Sequence, residues 1–154
     1  MVRSSLRRLN RFIGGDQKTL IVEAALRLLI ARVMLLVVPF PVLARRLGDF
    51  VPPADPRVLA ANANGGPEQK QMIEAIAAVV ALAARNVPFK AVCLPQAMAA
   101  KAMLDRRGIT SVMHFGAGFG TAKSIDSHAW LDAAGIPVTG YPISPGTAEI
   151  ACFV

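Results

Sequence analysis

The residues predict an α+β protein, with an apolar helical N-terminal region followed by one helix set against a small antiparallel sheet. Apolar positions recur at helical spacing as far as Arg107, and after Gly108 they shorten to the alternation of strands. Four prolines and an adjacent glycine pair in 51–67 separate the first helical stretch from the rest. With 154 residues, 54% hydrophobic and 18% charged, the chain can fill the core of one ordinary domain, and disorder is excluded for most of it.

The first helix is expected over Lys18 to Val38. Leu20, Ile21, Ala24, Ala25, Leu28, Leu29, Ala31 and Leu35 recur at helical spacing, and Glu23, Arg27 and Arg32 occupy a narrow polar side. Pro39 and Pro41 end it. A helix so nearly surrounded by apolar side chains is a core helix, a partner-binding helix, or one that lies on a membrane surface. The longest charge-free apolar run, 33–44, contains both prolines and falls short of the roughly 20 residues that a spanning helix needs. Arg3, Arg7, Arg8 and Arg11 precede it without the layout of a secretory signal. Residues 1–50 therefore read as a helical N-terminal region, 51–67 as a linker or long surface loop, and 68–154 as the catalytic core.

Within that core, Glu68 to Arg85 reads as a helix with Met72, Ile76, Val79, Val80 and Ala83 on one side, closed by Pro88. A second helix starts near Cys93 and runs to about Arg107, where Gly108 supplies the C-terminal cap. Thr110–Phe115, His128–Asp132 and Ile136–Ile143 read as strands. Gly116, Gly118 and Gly120 loosen the segment between the first two, and Ala133-Ala134-Gly135 forms a hairpin turn between the last two.

A net charge of +7 raises the question of nucleic acid, but one Trp, one Tyr and no recognition motif speak against it. Cys93 and Cys152 cannot form a disulfide framework, which together with the missing signal points to a reducing cytoplasm. The two Cys and two His show no CxxC or HxxxH pair, so neither a metal nor another cofactor is expected.

Cys93 carries the chemistry. In Val92-Cys93-Leu94-Pro95-Gln96, the proline fits the first turn of a helix, which places the cysteine where unpaired N–H groups and the helix dipole stabilise a thiolate. The same N–H groups suit an oxyanion hole. A buried structural cysteine is the plainer alternative. His128 shares one strand face with Trp130 and Asp132, an imidazole beside an aromatic wall that would floor a peptide-binding cleft. His114 is the competing base, flanked by Val112, Met113 and Phe115 as in a strand interior. Counting back from the hairpin turn sets Gly140 or Tyr141 opposite His128, and neither offers an acid. Asp126, two residues before His128, is the substitute, with Glu149, a backbone carbonyl or a working dyad as further options. Asp132 lies roughly 13 Å along the strand, too far to reach the ring.

Val87-Pro88-Phe89-Lys90-Ala91-Val92-Cys93-Leu94, the helix end Arg106-Arg107-Gly108, then His114-Phe115-Gly116 and Ser127-His128-Ala129-Trp130-Leu131 follow in that order. Together they resemble the leader peptidase of lasso-peptide biosynthesis, a cysteine protease of transglutaminase-like (papain-like) fold. The resemblance implies a Cys–His–Asp set whose first two members match Cys93 and His128. Where many members carry the Asp, twelve residues past the histidine, this chain has Gly140. It also implies the partners: a ribosomally made precursor peptide, a separate small leader-recognition protein that the stretch before Cys93 leaves no room for, and a lasso cyclase. Peripheral membrane contact stays open through the apolar helix. Two rival readings are an acyl-transferring relative of the same fold and a non-catalytic scaffold, the latter favoured by Gly140.

Overall fold

The computed structural model describes residues 16–63, 65–119 and 125–154. Arg3, Arg7, Arg8, Arg11 and Gly120 lie outside them.

Helix α1 (Asp16–Val37) buries Ala24, Leu28 and Ala31 at helical spacing and leaves the opposite stripe of Val22, Leu26, Leu29, Val33 and Leu36 exposed. It ends before Pro39, as its sequence requires. The prolines also start the next element: Pro41 sits in the first turn of α2 (Phe40–Leu47), where its missing N–H deprives the helix of nothing. The segment read as linker or loop is partly regular. Strand β1 (Phe50–Val51) enters the sheet, and α3 (Pro56–Ala61) is capped by Asp55, whose carboxylate accepts from the Arg57 N–H at 2.9 Å.

Helix α4 (Pro67–Asn86) buries Ile73, Ile76, Val79, Val80 and Ala83, close to the expected stripe. Helix α5 (Cys93–Asp105) is followed by Gly108 at φ +67°, and the Ile109 N–H reaches back to the Leu104 carbonyl. Arg107, just past α5, grips Glu23 of α1 with two hydrogen bonds of 2.7 and 3.3 Å.

The strands β2 (Val112–Phe119), β3 (Ile125–Ala133), β4 (Ile136–Thr139) and β5 (Ala148–Phe153) join β1 in an antiparallel sheet of order β1-β5-β2-β3-β4. The hairpin at Ala134-Gly135 has φ of +49° and +72°, the two left-handed residues of a type I′ turn. β4 stops at Thr139 rather than running to Ile143, because Gly140 turns to φ +82° and Pro142 follows. Gly116 and Gly118 lie within β2.

One face of the sheet carries Met113, Leu131, Ala133 and Phe153 into the main core, shared with α1, α2, α4 and α5. Side chains alternate along a strand, so Val112, His114, Trp130 and Cys152 occupy the other face. There Val112 and Cys152 pack with Val51 and Val58 of β1 and α3. Among the described residues the protein is thus a layer of α1, α2, α4 and α5 on one side of a small antiparallel sheet, with the short α3 against the other, the α+β arrangement the sequence predicts.

Candidate active site

Cys93 is the first residue of α5 and is partly exposed. Val92 precedes it in extended conformation without a side-chain cap, and Pro95 has no N–H to offer. The N–H groups of Cys93 and Leu94 therefore point out of the helix start without a partner in the helix, which is the electrostatic setting a thiolate or an oxyanion needs. Gln96 ties the turn down, its side-chain amide donating to the Ala91 carbonyl at 2.6 Å.

His128 is partly buried on β3, paired across the ladder with Gly116. Its ring stacks on Trp130 at 6.0 Å between centroids, with planes 22° apart. Its Nε2 lies 2.5 Å from the Gly140 carbonyl oxygen. A carbonyl only accepts, so this contact assigns the proton to Nε2 and leaves Nδ1 as the basic nitrogen. Gly140 permits the contact: a Cβ there would lie 2.5 Å from the Ala129 carbonyl oxygen and 2.7 Å from the Trp130 Cβ. At φ +82° that position is strained for any other residue besides. Of the orienting groups the sequence leaves open, the backbone carbonyl is the one His128 meets. Asp126 is exposed, opposite Gly118 in the ladder, with no side-chain hydrogen bond among the described residues.

Helix α5 packs on β3. It meets the Leu131 and Ala133 side, whereas His128 and Trp130 project from the alternate side. Among the described residues the Cys93 thiol makes no hydrogen bond to either histidine.

His114 forms a separate assembly that sequence reasoning missed. It is 6% exposed and stacks parallel to Trp130 at 5.3 Å, so the single tryptophan contacts both imidazoles. Its Nδ1 contacts the Glu149 carboxylate, and its Nε2 lies 3.3 Å from the Asp132 carboxylate, within ion-pair distance but out of line for a hydrogen bond. Burial opposes charge on this ring, and the two carboxylates outweigh it, raising its pKa above the usual histidine value. Cys152 is fully buried against His114 and Glu149. Burial, then the Glu149 carboxylate, pushes its thiol up to about 12, so it is no nucleophile at neutral pH. The only sequence signal for this assembly is the presence of one His, one Glu and one Cys on neighbouring strands, and their register is invisible until the strands are placed.

No helix among the described residues is long and apolar enough to cross a membrane. Neither a curated protein nor a solved structure matches the chain. The model of the transglutaminase-like superfamily, a group that includes cysteine proteases, matches residues 34–149, from α1 into β5 and across both Cys93 and His128. The chain belongs to the transglutaminase-like superfamily.

Proposed function

We propose that the protein is a cysteine peptidase that removes the leader from a ribosomally made lasso-peptide precursor, with Cys93 as nucleophile and His128 as base. The observation that carries this reading is the His128–Gly140 hydrogen bond, which fixes the tautomer a base needs even though the family's acid is missing. A cysteine at an uncapped helix start, on the helix that packs against the histidine's strand, supports it.

In this mechanism Nδ1 of His128 takes the Cys93 proton and the thiolate adds to the scissile carbonyl. The N–H groups at the start of α5 hold the oxyanion. The imidazolium then returns its proton to the leaving amine, which frees the core peptide for a partner cyclase. Water, deprotonated by the same imidazole, releases the leader acid from the thioester. The thiol and imidazole are not hydrogen-bonded among the described residues, and in this mechanism their contact forms in the precursor complex, as catalytic contacts often tighten only there. Trp130 braces the ring of His128 during this step. A separate leader-recognition protein and the cyclase are the partners of this reading, and the exposed stripe of α1 is the surface one of them takes.

The test is mass spectrometry of the precursor peptide incubated with wild-type and Cys93→Ala protein, with and without the leader-recognition protein. A leader-sized fragment from wild type alone is the expected result. Cleavage by Cys93→Ala overturns the reading. A cross-linked product of unchanged total mass less ammonia identifies an acyl transferase instead, and no product with every partner present identifies a scaffold.

A further inference from the structure

Three different donor atoms converge on the β2/β5 ladder, outside the residues used above. His114 Nδ1 lies 2.5 Å from Glu149 Oε1 and 3.4 Å from Cys152 Sγ, and that sulfur lies 3.0 Å from the same oxygen. We propose that His114, Glu149 and Cys152 bind a zinc ion through Nδ1, a carboxylate oxygen and Sγ, leaving a fourth position for water on the solvent side of Glu149.

The backbone builds this convergence. Residues 149 and 152 are an odd number apart and would face opposite sides of a regular strand. The register of β5 against β2 slips between Phe115 and Gly116, so that Ala151 pairs with Phe115 and Glu149 with Gly116. The slip turns Glu149 to the same face as Cys152, and both reach His114. Bulges commonly re-aim side chains in this way beside functional sites.

The donors suit a borderline-soft divalent cation, and nitrogen, thiolate and carboxylate are the set zinc takes. In a tetrahedral site with bonds of about 2.0–2.3 Å, the donors stand roughly 3.3–3.6 Å apart. The Nδ1–Sγ separation of 3.4 Å already meets this. The Glu149 oxygen must retreat by under about 1 Å, and it belongs to the one ligand side chain that reaches solvent, 32% exposed against 7% for His114. The far nitrogen of His114 faces the Asp132 carboxylate, which in turn accepts from the Tyr141 hydroxyl. A carboxylate behind the ligating imidazole is the usual outer support of such a metal. The ion displaces the thiol proton to solvent, and the ligating imidazole carries its proton on Nε2, toward Asp132.

Cobalt(II) added to the full-length protein should give a thiolate-to-metal absorption band in the near ultraviolet. It should also change the emission of Trp130, which stacks on His114. Zinc should abolish the band by displacement. Cys93→Ala should keep the band, Cys152→Ala should lose it, and Asp132→Asn should weaken zinc binding by roughly tenfold or more. Circular dichroism of each variant separates lost binding from lost folding, and Glu149→Gln, at the exposed ligand, repeats the test should the buried substitution unfold the chain. Absence of the band in folded wild-type protein overturns the proposal. So does a band that survives Cys152→Ala and disappears in Cys93→Ala.

Discussion

In the proposed mechanism the Gly140 carbonyl orients His128 in place of an acid. Adding a methyl group there forces the carbonyl away from His128, since the Cβ would lie within 2.8 Å of three atoms of Ala129 and Trp130. Gly140→Ala is therefore expected to lower kcat for precursor cleavage by about 100-fold or more, the scale of a lost general base. Placing an acid there with Gly140→Asp should fail equally, because the larger side chain meets the same atoms. Asp126→Asn should leave kcat within about threefold, as expected of an exposed surface substitution. A large loss at Asp126 with Gly140→Ala fully active would transfer the orienting role to the carboxylate. Cys93, His128 and the lack of an acid at position 140 can be picked out as candidates in the sequence, because side chains have letters. A carbonyl has none, which is why Gly140 reads there as a gap.

Between α1 and α5 the covalent chain runs through three other helices, so their docking depends on contacts across the core and on Glu23 with Arg107. The Glu23 carboxylate is 11% exposed and 2.7 Å from the guanidinium. That hydrogen bond, opposed by burial and aided by the charges of Arg107, Arg106 and Arg27, holds its pKa below the usual carboxylate value. A depressed acid stabilises the fold above its unfolded pKa, and the contribution is lost as pH falls through the lower, folded value. Glu23→Gln should cost about 1.5–3 kcal/mol at pH 7, the range for hydrogen bonds to charged groups. In urea titrations the gap between variant and wild type should narrow as the pH falls below the ordinary carboxylate range. A gap that stays constant would assign the loss to packing alone.

The helices were legible because each repeats one physical pattern over many residues: Ala24, Leu28 and Ala31 on α1, or Ile76, Val80 and Ala83 on α4. β5 was not. Its six residues alternate poorly, since the bulge interrupts their period and the strand runs from an exposed half into a buried one. The same irregularity hid the convergence of Glu149 and Cys152 on His114.

At the scale of the molecule, β5 joins what the order of the chain keeps apart. It lies between β1, from the first third of the chain, and β2, and its Phe153 ring meets Phe50 and Phe115 edge-on at 5.3 and 5.4 Å. Phe153→Ala should cost about 3–5 kcal/mol in urea unfolding, the range for a buried phenylalanine. A cost below 1 kcal/mol would mean that the β1–β5–β2 ladders hold without that side chain.

On the opposite side, α1 leaves Val22, Leu26, Leu29, Val33 and Leu36 uncovered. Paired substitutions Leu29→Asp and Leu36→Asp should therefore leave the melting temperature nearly unchanged while reducing cleavage only in reactions that contain the partner proteins. Loss of cleavage in their absence would place this stripe in the catalytic domain's own workings instead.

The strand order also sets a timetable for synthesis. Every other element of the described residues precedes β5 in synthesis, yet among them β1 pairs only with β5, and β2 keeps an open edge until β5 arrives. The sheet cannot close while its last strand is still being made, and for that interval the nascent chain exposes an unpaired strand beside a largely apolar helical layer. Production of the protein should therefore respond to chaperone supply and to growth temperature more than its finished stability would suggest.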